Sequence, residues 1–213
     1  TTNCKEPTYL GIDNVIDIAA GGNFTVVLKK DGTVWATGYN EYGQLGQNNL
    51  THNILPQQMV DANGNEIKEI KEISAGAYHT IALKEDNTVW SVGYNISGQL
   101  GLGTTSQTTK IQQVKEQITT EDGKTQIQNI ANAKHITAAG DTTYISRQKD
   151  EQGRPQGMYV IGENSNGQLF TQNTTTQPYA KEVETDKDII TVGATRRRYS
   201  SSSYQTGAIA DQD

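Results

Sequence analysis

The apolar positions of this chain fall into short runs separated by polar residues, and the runs return in the same order along the chain. Val26 and Leu28 alternate within Phe24–Lys29, and Ile81 and Leu83 within His79–Lys84. That two-residue period predicts half-buried strands. Each run follows a β-prone segment ending in Ala-Gly, Val15–Ala20 before Gly21 and Ile70–Ala75 before Gly76, where glycine permits a sharp turn or a close backbone approach. Each run leads into Asp31-Gly32 or Asp86-Asn87, a tight hairpin, since Gly and Asn tolerate positive φ. Residues 33–37 and 88–92 predict a third strand carrying Trp35 and Trp90 at equivalent positions. Glycine-rich loops of the form Asn-x-x-Gly-Gln-Leu-Gly follow at 40–46 and 95–101, and a weaker fourth strand is expected near 56–60 and 110–114.

The two stretches are copies. Residues 70–101 are residues 15–46 displaced by 55 positions without a gap, with 17 of 32 residues identical. A third copy opens at Ile136 through Gly140 and closes at Tyr159 through Leu169. Tyr159 stands where the tryptophans stood, and Phe170 replaces the final glycine. A fourth begins at Asp188 and resumes at Tyr204 through Ile209. A strand-filled period of about 50 residues predicts an all-β chain, a β-propeller of four-stranded antiparallel blades.

The pattern G-x-x-H-T, then D-G-x-V-W, then G-x-N-x-x-G-Q-L-G resembles the regulator of chromosome condensation repeat family, and the likeness covers nearly the whole chain. The resemblance implies a seven-bladed ring. Phe24 stands in the first copy where the second has His79, with Thr143 assigned to that place in the third and Gln205 in the fourth. The expected division is 1–13 as the last strand of a preceding blade, 14–69, 70–132 and 133–187 as blades, and 188–213 as half of a further one. About three and a half blades is an arc. The missing blades are expected from a longer chain or from a second chain, since an open arc leaves strand edges uncovered.

Composition narrows the function classes. Net charge is −6 and pI is near 5.1, which gives the chain no electrostatic case for nucleic acid. The single cysteine, Cys4, forms no intrachain disulfide, and no His-x-His or Glu-x-x-His spacing suggests metal. No apolar run is long enough for a membrane helix. Gly98 through Gly103 lacks the helix start that a phosphate cradle needs. His52 reads as a loop residue, and His79 as a residue packed and hydrogen-bonded within its own blade. No catalytic residue and no cofactor is expected.

Repeat scaffolds act where one copy departs from the others. Residues 195–203 form an insertion between the first two strands of the fourth copy. There Arg196, Arg197, Arg198 and Tyr199 make the one dense basic cluster, a candidate partner-binding loop. A second departure, 149–157, lengthens the third copy's hairpin and reads as a flexible polar tip. The expected function is non-catalytic binding of another protein through face loops. The resemblance leaves two alternatives, a guanine-nucleotide exchange factor for a small GTPase and an enzyme inhibitor similar to β-lactamase inhibitory proteins. In the inhibitor reading Tyr39, Tyr42, Tyr78 and Tyr94 would form an aromatic face. The Asn/Thr/Gln-rich repeats look similar to modules of bacterial secreted or cell-surface proteins, with the cytoplasm as the alternative compartment.

Overall fold

A computed structural model of the chain describes residues 9–185, 189–197 and 203–210. The first blade is the antiparallel sheet β1 (Val15–Ala20), β2 (Phe24–Lys29), β3 (Val34–Gly38) and β4 (Asn53–Gln58), paired in chain order. The second repeats it with β5 (Ile70–Ala75), β6 (His79–Lys84), β7 (Val89–Gly93) and β8 (Thr108–Gln113). Residues 9–13 carry no strand, and residues 1–8 lie outside the described residues.

The third blade is wider than expected. A hairpin of β9 (Lys115–Thr119) and β10 (Thr125–Asn129) precedes β11 (Ala133–Ala139), β12 (Thr142–Arg147), β13 (Met158–Gly162) and β14 (Gln177–Val183). Strand β9 meets β14 in parallel through Ala180 and Glu116, giving a six-stranded sheet in place of the expected four. The reason lies in the link between blades. Between the first two blades it is a small turn closed by Val60 and Glu66 and tied by Asp61. Between the second and third, Val114 and Ile130 anchor both ends of a longer segment, which zips into β9–β10.

Finally β15 (Ile189–Arg197) pairs with β16 (Ser203–Ala210). One irregularity marks all four first strands, at Val15/Asp17, Ile70/Glu72, Ala133/His135 and Ile189/Thr191. The bulge makes β15 the equivalent of β1, β5 and β11.

The cores lie between blades. Val26, Leu28, Val34, Leu45 and Met59 of the first pack against Ile70, Ile73, Ala82 and Ile111 of the second. Ile81, Leu83, Val89 and Val114 of the second pack against Ile136, Ile145, Tyr159 and Ile161 of the third. Successive side chains of β6 therefore serve opposite cores, Ala82 one and Ile81 the other, so the strand is buried on both faces rather than half-buried. Where no blade packs, the same positions are open. Ile73 and Ile136 are 5% and 4% exposed, and their counterpart Ile18 is 62% exposed.

Two features of the repeated sequence are explained by local bonding. Trp90 Nε1 donates to Thr88 Oγ1 at 3.0 Å, and the Thr88 hydroxyl donates to Asp86 at 2.6 Å. Trp35, Thr33 and Asp31 repeat this relay at 3.2 and 2.6 Å. Gly38, Gly93 and Gly162 end the third strands at φ of 110°, 116° and 101°. A Cβ there would strike the carbonyl oxygens of Asn23, Tyr78 and Asp141.

Candidate protein-binding face

Chain direction gives each blade two ends. Turns 21–23, 76–78 and 140–141 and loops 39–52, 94–107 and 163–176 gather at one end. The hairpins between second and third strands lie at the other. A buried asparagine organises each loop. Asn95 Nδ2 donates to the Thr104 and Ser106 carbonyls at 2.8 and 3.0 Å, and its Oδ1 accepts from Leu100 N–H at 2.9 Å. Asn40 and Asn164 do the same for their loops. The glycine-rich stretches are thus asparagine-pinned turns, a role the glycines themselves did not reveal.

Adjacent blades are also joined by polar contacts. Thr80 Oγ1 donates to the Gln44 carbonyl at 2.7 Å, and Thr143 Oγ1 to the Gln99 carbonyl at 2.9 Å. His79 Nε2 lies 2.9 Å from Thr143 Oγ1. The hydroxyl hydrogen of Thr143 is spent on Gln99, so His79 is the donor through Nε2–H. Its Nδ1 is buried without a partner. Burial pushes the His79 pKa down to about 3. This corrects two expectations. The bond of His79 crosses to the next blade, and the residue equivalent to His79 in the third blade is Thr142. Both His79 and Thr142 pair with the glycine ending the third strand, and Thr143 is the counterpart of Thr80.

On these loops the structure assembles a tyrosine cluster spanning two blades. Ring centroids are 5.9 Å apart for Tyr39–Tyr42, 5.2 Å for Tyr42–Tyr78, 4.7 Å for Tyr42–Tyr94 and 6.3 Å for Tyr78–Tyr94. All four side chains are partly exposed. His52 joins them, stacked on Tyr39 at 4.9 Å with Nδ1 accepting from Asn40 N–H at 2.9 Å. Sequence reading placed His52 only in a loop, since its partner in the cluster is 13 residues away and no repeat position predicts it. The Tyr39 hydroxyl donates to Glu41 at 2.5 Å, and this bond holds its pKa well above the ordinary phenol value. Burial, and then the Asp141 carboxylate, raise that of Tyr94.

The candidate basic cluster is only partly described. In β15, Arg196 lies opposite Tyr204 and Arg197 opposite Ser203. Residues 195–197 therefore continue the strand where a loop was expected, and lengthen the hairpin at the same end as the tyrosines. Arg198 and Tyr199 lie outside the described residues. The lengthened hairpin 149–157, at the opposite end, is organised by Asp150, which accepts from Gln152 N–H, Arg154 N–H and Arg154 Nε at 3.0, 2.8 and 2.6 Å. Among the described residues, no group of three His, Cys, Asp or Glu could hold a metal, and no helix is long and apolar enough to cross a membrane.

Comparison with known proteins places these blades. Two family models, both described as "Regulator of chromosome condensation (RCC1) repeat", match residues 31–83 and residues 15–44 and 70–99. The human E3 ubiquitin-protein ligase HERC2 is 35% identical over 109 residues, 48% of this chain and 2% of that protein. The ultraviolet-B receptor UVR8 of Arabidopsis thaliana is 32% identical over 96 residues, 45% of this chain and 21% of that one. The chain thus spans a small part of the length of these relatives. Among solved structures, Prp20p from Saccharomyces cerevisiae superposes with a TM-score of 0.69 at 18% identity, covering 95% of this chain and 45% of that one. Yeast RCC1 (Prp20) bound to Kap60 gives 0.65 at 18% identity, over 89% and 41%. At that identity the structures speak for the fold. The repeat matches, which together span residues 15–99, show regulator of chromosome condensation (RCC1) repeats in this chain, and the pinned loops and recurring bulges carry the same blade into the third copy.

Proposed function

We propose that the chain is a non-catalytic protein-binding module whose partner is held on the loop end of the blades. The observation that carries this reading is the tyrosine cluster. Tyr39, Tyr42, Tyr78 and Tyr94 form one partly exposed aromatic surface on asparagine-pinned loops of two adjacent blades. Tyrosine gives large contact area at low entropic cost and is enriched at binding hot spots. Rigid loops spare the ordering cost of association. Arg196 and Arg197 belong to the same end by strand register, so the hairpin of the fourth blade forms part of the proposed contact. The likeness to Prp20 supports the reading, as that protein is solved bound to Kap60 and is described with binding to Gsp1p and histones.

A displayed-peptide selection against the folded chain tests it. Binders should lose affinity to Tyr42→Ser and Tyr94→Ser variants and keep it against Lys149→Ser at the other end. Selection that yields only binders indifferent to the tyrosines would refute the assignment.

A further inference from the structure

The carboxylates around the tyrosines are placed in an ordered way. Equivalent loop positions carry Tyr39 in the first blade, Tyr94 in the second and Glu163 in the third. Equivalent turn positions carry Asn23, Tyr78 and Asp141, the carbonyls of which accept from Tyr39, Tyr94 and Glu163 N–H at 2.9, 2.9 and 3.0 Å. The result is a strip. Glu41 lies at one end, bonded to Tyr39. The four rings follow, and Asp141 and Glu163 stand beyond Tyr94 at the other end.

Two further observations give the strip a sign. Glu163 Oε1 accepts from Ser165 N–H at 2.7 Å, while its Oε2 is buried in the loop with no hydrogen-bond partner. The buried oxygen is closed to a partner, but the Glu163 side chain as a whole is partly exposed, and a carboxylate short of hydrogen-bond donors favours a cation at its open edge. Segments 20–24, 38–53, 75–79, 93–108, 138–142 and 162–177, which build this end of the three blades, contain no lysine or arginine. The lysines of those blades sit elsewhere, as at Lys29, Lys30, Lys84 and Lys149 on the opposite hairpins. Faces of tyrosine rings attract cations as well.

We infer that the strip from Glu41 across Tyr39, Tyr42 and Tyr94 to Glu163 receives a basic segment of a partner protein, arginine or lysine side chains lying over the rings and ending on the carboxylates. The inference rests on the protein-binding reading and adds the chemistry of the partner. It concerns the first three blades, and the arginines of β15 lie outside the strip on the fourth.

The test titrates the ¹⁵N-labelled chain with nona-arginine, nona-glutamate and a glycine-serine nonapeptide, following amide shifts and fitting affinities at two salt concentrations. Nona-arginine should bind in a salt-dependent way, with shifts concentrated at 39–45, 78, 94 and 163, and the other two peptides should not. Tyr42→Leu, which keeps an apolar side chain and loses the ring, should weaken binding about two- to five-fold. Glu41→Gln with Glu163→Gln should weaken it about five- to ten-fold and flatten its salt dependence. Nona-arginine shifts centred on residues 31, 85 and 86, or affinity indifferent to all three substitutions, would overturn the inference. Tyrosine-dependent binders of acidic or purely apolar sequence in the displayed-peptide selection would also overturn it, while leaving the protein-binding reading in place.

Discussion

His79 makes a sharp test of how the blades are joined. Its ring is fully buried, donates from Nε2 to Thr143 in the next blade, and has its pKa lowered from 6.5 to about 3 by burial alone. Between these values the unfolded chain binds a proton that the folded one refuses. Stability is therefore complete above pH 6.5 and falls as pH drops toward 3. Each pH unit below the unfolded value costs about 1.4 kcal/mol, so stability at pH 4.5 should lie about 3 kcal/mol below that at pH 8. The window from 6.5 to 4.5 also avoids most carboxylate titration. His79→Phe removes the titration and copies Phe24, which holds the same place in the first blade beside Gly21. Urea denaturation followed by tryptophan fluorescence at the two pH values should give the wild type this loss and the variant less than about 1 kcal/mol. Equal losses in both proteins would show that His79 is not held neutral, and the fully buried place assigned to its ring between the blades would fall with it.

Three further substitutions probe other parts of the account by the same denaturation. Asn95→Ala orphans the buried Leu100 N–H and two loop carbonyls and should cost about 2–4 kcal/mol at every pH; a loss below about 1 kcal/mol would remove asparagine as the organiser of the loop. Trp90 is partly exposed, so Trp90→Ala should cost about 2 kcal/mol, less than the truncation of a fully buried ring. A loss above about 4 kcal/mol would place it in the core proper. Tyr78→Asp should be nearly neutral for stability, within about 1 kcal/mol. The buried Gln44 Nε2, which has no partner, would gain the acceptor that Asp141 gives Gln99 at 3.2 Å. A severe loss of stability would deny the equivalence of these two junctions.

Strands with a sequence period and turns with their own chemistry were legible from the residues. The exact 55-residue displacement registers β1–β3 on β5–β7 because the same Asp-Thr-Trp relay and the same strand-ending glycine recur in both. The β9–β10 hairpin was not legible. It is polar, exposed along β10, and held by Val114 and Ile130 at its base rather than by a pattern within it. The register of the third blade slipped by one at Thr142 and Thr143, as two adjacent threonines offer the histidine position equally well until pairing with Gly162 decides. The four tyrosines were legible as an aromatic face under the inhibitor reading, but their mutual contacts were not, because Tyr78 and Tyr94 reach Tyr39 and Tyr42 only through blade packing. The part played by the Arg196–Arg197 strand is a matter of register, since a basic run in sequence does not distinguish a loop from the end of a longer hairpin.

On the proposed reading, partners dock on the loop end of the blades. Hydrogen exchange of the chain, alone and saturated with a selected tyrosine-dependent binder, tests it most directly. Added protection is predicted at 39–47, 76–79 and 94–100, with none at the opposite hairpins. Protection confined to 29–34, 84–89 and 147–157 would put the partner on the other end and contradict the account.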